Sequence, residues 1–73
     1  MTTILDCKNL NCPMPIVKIA QTFKKMETDE LLEVHATDPA FRADVEAWAR
    51  KTGNELVSFV DEEVKKAIIK KIN

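Results

Sequence analysis

Apolar residues in this chain change period along its length, from two to about 3.6 and back, and that switching restricts the fold more than any other feature. Thr2 to Asp6 read as a short strand, with Ile4 and Leu5 apolar beside the β-branched Thr3. From about Pro13 to Met26, Ile16, Ile19, Ala20 and Phe23 recur at helical spacing, flanked by Val17 and Met26, while Lys18, Gln21, Lys24 and Lys25 lie off the stripe. Thr28-Asp29 reads as a turn. Glu30 to Thr37 then alternates, Leu32, Val34 and Ala36 on one face against Leu31, Glu33 and His35 on the other. Asp38 is placed to cap a second helix with Pro39 at its first position. Its buried stripe is Phe41, Val45, Trp48 and Ala49, and Arg42, Asp44, Glu46 and Arg50 face water or the rim. Gly53, the one glycine, stands where a C-cap needs positive φ. Asn54 to Val60 follows as a strand, Leu56, Ser58 and Val60 alternating with Val57 and Phe59. The order βαβαβ calls for helices packed on a sheet.

The tail from Asp61 to Ile72 supports two readings. An Asp cap, an acidic first turn, lysines towards the end and Val64, Ile68 and Ile72 spaced by four favour a helix. A strand returning through Ala67, Ile68 and Ile69 competes, but a two-residue turn at Asp61-Glu62 lacks the usual Asn-Gly or Gly signal. The local pattern tilts towards the helix.

Seventy-three residues make a single domain, 1–73, near the size at which one core barely suffices. Eleven basic residues against twelve acidic ones give a net charge of -1, which argues against a general nucleic-acid binder. No apolar run is long enough to span a bilayer and no basic-then-apolar leader opens the chain, so a soluble cytoplasmic protein is expected. That compartment keeps most thiols reduced. Cys7 and Cys12 do not have the spacing of a C-x-x-C pair. With His35 they offer too few ligands for a structural metal site, so no metal or cofactor is expected.

The chemistry points to Asn11-Cys12-Pro13-Met14-Pro15. Cys12 falls at or beside a helix N-cap, with Pro13 at the first helical position and Pro15 among the first residues, whose N–H groups lack intrahelical partners anyway. A thiol at the positive end of a helix is expected to favour its thiolate. The N–H groups of Met14 and Ile16 are candidates to face anionic sulfur, and the two prolines act by shape. Asn9 and Asn11 suit left-handed or Asx-turn geometry in the preceding loop, and Leu10 pins that loop to the core. Ordinary capping, with Cys12 as one more small side chain, is the competing reading.

Leu5-Asp6-Cys7-Lys8-Asn9-Leu10-Asn11-Cys12-Pro13-Met14-Pro15, the later Thr37-Asp38-Pro39 with Asp44-Val45, and Ile68-Ile69-Lys70-Lys71 together resemble the TusA/SirA-like sulfur carriers with their Cys-Pro-x-Pro motif. The resemblance covers nearly the whole chain. It implies an α/β two-layer sandwich of order βαβαββ, two helices on one face of a mixed four-stranded sheet, and so a strand within Val64 to Lys71. It also implies a persulfide carried on Cys12, with no cofactor. The donor is a cysteine desulfurase, a rhodanese or another carrier, and the acceptor a further sulfurtransferase. A membrane thiosulfate transporter is a further partner class, and tRNA thiolation, cofactor synthesis and thiosulfate metabolism are the pathways. The chain is then a sulfurtransferase component rather than a stand-alone enzyme. The sequence departs from the family pattern at Asn9, where glycine is usual, and at Lys8, where arginine is frequent. Asn tolerates positive φ, whereas Lys keeps the charge and loses the forked donor.

Two other functions compete. Cys7 is a candidate resolving thiol in a thiol–disulfide protein, against its reading as a small buried hydrophobe. Lys65, Lys66, Lys70 and Lys71 are a candidate basic edge for RNA or an acidic protein, against their reading as edge-strand lysines that block aggregation. His35 and Asp38 read as structural, and Met14 as either partner contact or packing.

Overall fold

The computed structural model describes residues 2–72, arranged as β1 (Thr2–Cys7), α1 (Met14–Phe23), β2 (Leu31–Ala36), α2 (Phe41–Thr52), β3 (Glu55–Val60) and β4 (Lys65–Lys70). The sheet order is β1-β2-β4-β3. β1 and β2 are parallel, a pairing that needs a crossover, and α1 supplies it. β4 runs antiparallel to both β2 and β3, so the last strand of the chain lies in the middle of the sheet. This is the two-layer α/β sandwich with order βαβαββ and a mixed sheet that the resemblance implies.

The period-two reading of β2 places Leu32, Val34 and Ala36 in the core, all fully buried. Cys7, Ile19, Phe23, Met26, Phe41, Val45, Ala67 and Ile69 complete the same cluster, with Leu5, Leu10, Ile16, Trp48, Leu56 and Phe59 packed against it. Phe23 meets Trp48 edge to face, ring centroids 4.9 Å apart, and this contact joins the two helices. Gly53 ends α2 with φ 73°, the left-handed conformation that a C-cap needs.

Four local expectations are corrected. The tail is a strand and not a helix, because β4 fills the slot between β2 and β3 and pairs along its length with both. Its connection to β3 covers residues 61–64, longer than a two-residue turn, so the Asn-Gly signal is not required. In β3 the strict alternation fails: a register shift between Leu56 and Ser58 pushes Val57 outward and leaves Leu56 and Phe59 both packed on the core. Phe59 thereby reaches Phe41, ring centroids 6.0 Å apart. The helices also begin later than their caps suggest. α1 starts at Met14 with Pro13 as N-cap and ends at Phe23, so Lys24 and Lys25 fall outside it. α2 starts at Phe41 with Ala40 as N-cap. Asp38-Pro39-Ala40-Phe41 forms a turn instead, with Phe41 N–H donating to the Asp38 carbonyl at 3.0 Å and proline in its favoured second place.

The tail lysines are divided by the pleat and not gathered on one edge. Lys65 lies 3.7 Å from Asp61 and Lys70 lies 3.8 Å from Asp29. Lys71 Nζ donates to the carbonyls of Phe23 and Met26, both at 2.6 Å, and so closes the C-terminal end of α1. His35 Nε2 pairs with Glu33 Oε2 at 2.6 Å on the sheet face away from the helices.

Candidate functional site

The loop between β1 and α1 is fixed from both ends. At its start, Asp6 Oδ1 accepts the N–H of Lys8 at 3.0 Å and the Cys7 carbonyl accepts that of Leu10 at 3.3 Å. Asn9 takes φ 66°, a conformation asparagine reaches more readily than other non-glycine residues. Two successive residues after β2 then hold the loop from across the sheet end. Thr37 Oγ1 accepts the N–H of Asn9 at 2.9 Å, and Asp38 Oδ2 accepts the N–H of Cys12 at 2.9 Å. The other oxygen of Asp38 takes the N–H of Ala40 at 3.1 Å. One carboxylate thus joins the thiol loop to the entry of α2. A cis Cys12-Pro13 peptide bond leads into α1.

Cys12 is exposed, and Cys7 is fully buried in the core beneath it. Pro13 is exposed at the N-cap and Met14 is 43% exposed, whereas Pro15 is buried. Lys8 and Asn9 are exposed in the loop, and Ile16 is half-buried. The Met14 N–H donates to the carbonyl of Asn11 at 2.9 Å, so it is already engaged and not the free donor the sequence suggests.

The electrostatics also reverse an expectation. The Cys12 thiol is pushed above its ordinary pKa, first because its side chain hydrogen-bonds to Asp44, then by local desolvation and by the charges of Asp44 and Asp38. A helix end acts only within its first turn, and Cys12 precedes that turn while an Asp44 oxygen lies within 4.8 Å of its sulfur. Cys12 Sγ and one oxygen each of Asp38 and Asp44 lie within 4.8 Å of one another. Both Asp38 oxygens already accept backbone N–H groups, which commits that side chain to holding the loop and leaves it poorly placed as a metal ligand.

Beside the sulfur an open groove of about 280 Å³ runs between the helices, lined by Cys12, Pro13, Ile16, Asp44, Ala47, Trp48 and Lys51. Its α2 wall was missed from the sequence. Asp44, Ala47, Trp48 and Lys51 follow the spacing i, i+3, i+4, i+7 and form a second face of α2, beside the buried Phe41, Val45 and Ala49. That spacing was available, but only the partner of each face, known from the fold, separates the groove wall from a solvated one.

The family model for Sulfurtransferase TusA matches residues 3–71. The chain belongs to the TusA family. Among relatives, the sulfur carrier protein TusA of Allochromatium vinosum is 43% identical over 58 residues, covering 80% of this chain and 76% of that protein. The sulfur carrier protein TusA of Pseudomonas putida is 39% identical over 54 residues, covering 74% of this chain and 68% of that one. YrkF of Bacillus subtilis is 54% identical over 54 residues, but the match spans only 29% of YrkF. Among the described residues no helix is long and apolar enough to cross a membrane.

Proposed function

We propose that this chain is a protein-to-protein sulfur carrier that takes sulfane sulfur onto Cys12 as a persulfide and passes its terminal sulfur to an acceptor thiol. One observation supports it most: the exposed Cys12 sits on a loop fixed by Thr37 and Asp38 at the mouth of a groove, whereas the second thiol is sealed in the core. Sulfur exchange between proteins requires a sulfur that both partners can reach, held in one position. The names of the Allochromatium and Pseudomonas relatives agree with this role. The donor is a persulfide-bearing protein such as a cysteine desulfurase or a rhodanese, and the acceptor a sulfurtransferase. Intramolecular disulfide chemistry fits less well, because Cys7 would have to leave the core to meet Cys12.

The test is intact-protein mass spectrometry after incubation with a cysteine desulfurase plus cysteine, or with thiosulfate. Wild type and Cys7→Ala are expected to gain one sulfur atom, and Cys12→Ser none. An adduct that persists in Cys12→Ser, or no adduct on wild type from any donor, would overturn the carrier role.

A further inference from the structure

We propose, on the carrier reading above, that Thr37 and Asp38 are positioning residues of the transfer: they fix the Cys12 main chain so that its sulfur meets a protein-borne donor in one orientation. The parallel ladder of β1 and β2 ends at the pair Cys7 and Ala36. Beyond it the chain turns away from the sheet, and its N–H groups need other acceptors. The next two residues after β2 supply them from their side chains. Thr37 Oγ1 accepts the N–H of Asn9 and Asp38 Oδ2 that of Cys12, each at 2.9 Å. These partners are 28 and 26 residues apart, so only the fold brings them together. The second bond holds the main chain of the reactive residue itself. With that backbone fixed, the sulfur has one dihedral angle left and three staggered positions to choose from. Asp38 Oδ1 meanwhile accepts the N–H of Ala40, the N-cap of α2, at 3.1 Å. One carboxylate thus registers the sulfur against the helix whose Asp44, Ala47, Trp48 and Lys51 line the groove beside it. The hydrogen bonds of Lys8, Leu10 and Met14 run within the same stretch of chain and register nothing against α2.

In the step itself the Cys12 thiol gives its proton to solvent and the thiolate attacks the terminal sulfur of the donor persulfide. The Cys12 Sγ–S bond forms, the donor S–S bond breaks, and the donor leaves as a thiolate that takes a proton from solvent. The moving sulfur keeps its oxidation state. A small donor reaches an exposed sulfur from many directions and needs little help from the loop. A protein donor brings its persulfide in the one pose that the two surfaces allow, and the attacking sulfur must already lie in line. Misplacement by about 1 Å in such a step costs on the order of a hundredfold in rate.

The test compares two donors that leave the same one-sulfur adduct: a cysteine desulfurase with cysteine, and inorganic polysulfide. Initial loading rates are followed by intact-protein mass spectrometry in wild type, Asp38→Ala, Asp38→Asn, Thr37→Val and Thr37→Ser, with circular dichroism to confirm folding. The readout is the ratio of the desulfurase rate to the polysulfide rate, in which a change in the intrinsic reactivity of the thiol cancels. Asp38→Ala and Asp38→Asn remove the same charge, but the amide oxygen of Asn still accepts an N–H. The ratio is expected to fall at least about tenfold in Asp38→Ala and to recover in part in Asp38→Asn. Thr37→Val, an uncharged change of similar size, is expected to lower it several-fold, and Thr37→Ser to return it towards wild type. Wild-type ratios in Asp38→Ala and Thr37→Val, or equal falls in Asp38→Ala and Asp38→Asn, would overturn the proposal. If Asp38→Ala does not fold, the Thr37 pair decides. Hydrogen exchange at the Cys12 amide, measured by NMR, is expected to quicken several-fold in Asp38→Ala, and an unchanged rate would remove the bracing itself. No adduct on wild type from either donor would instead sink the carrier reading, and the transfer role of both residues with it.

Discussion

The two cysteines show how far one residue type can diverge within a single chain. Cys12 is exposed and its thiol is pushed up, first by its hydrogen bond to Asp44. Cys7 is fully buried and its thiol is also pushed up, chiefly by burial, with Lys18 opposing and Asp6 adding to the rise. Because both folded thiols bind their protons more tightly than unfolded ones, the stability this provides is present below the ordinary thiol pKa and is lost as pH rises through the folded values. Urea midpoints measured upward from about pH 8.5 should therefore fall, and Cys7→Ala should flatten part of that fall. Cys7→Ser should instead be destabilised at neutral pH, by about 1–3 kcal/mol, because the hydroxyl is buried without a built partner. In native wild type, iodoacetamide should modify one thiol; modification of both without denaturant would contradict the burial of Cys7.

At the scale of elements, side chains from distant stretches secure the ends of α1. Its N-terminal loop is held by Thr37 and Asp38, and its C-terminal exit by Lys71, which donates to the carbonyls of Phe23, its last residue, and of Met26 just beyond it. Lys71→Met should lower stability by about 1–2 kcal/mol, since it leaves helix-end carbonyls without a charged donor. Lys70→Met should cost less, within about 1 kcal/mol, because its ion pair with Asp29 is solvent-exposed. Equal urea midpoints for the two variants would refute the capping role. What could be read in advance follows a physical rule. Asn9 and Gly53 were legible because positive φ admits few residue types, and the core face of β2 because period two has one meaning. Asp44 was not legible as a sulfur partner, since its meeting with Cys12 depends on where α2 docks relative to α1. Asp38 was read as the cap of α2, a place Ala40 takes; its carboxylate instead accepts the Ala40 N–H and reaches across to Cys12, a contact between residues remote in sequence.

For the whole molecule the decisive placement is that of β4. In a helical tail, Val64, Ile68 and Ile72 would share the buried stripe and Ile69 would turn away. In the observed sheet the reverse holds: Ile69 is fully buried opposite Leu32 and Leu56, while Ile68 is half-buried and Ile72 is 41% exposed. A chain this short has one core, and its central strand carries pairing on both sides, so local helix signals yield to closure of the sheet. The two arrangements predict opposite rankings for a pair of alanine substitutions. Ile69→Ala should destabilise by about 2–5 kcal/mol, since it opens a cavity between the sheet and the helices. Ile68→Ala should cost roughly 1 kcal/mol or less, as a partly solvated position on the open sheet face. Urea unfolding of the two variants beside wild type measures the difference. The sheet requires the Ile69 midpoint to be the lower of the two, and the opposite order would restore the helical tail and remove the strand that β2 and β3 both need.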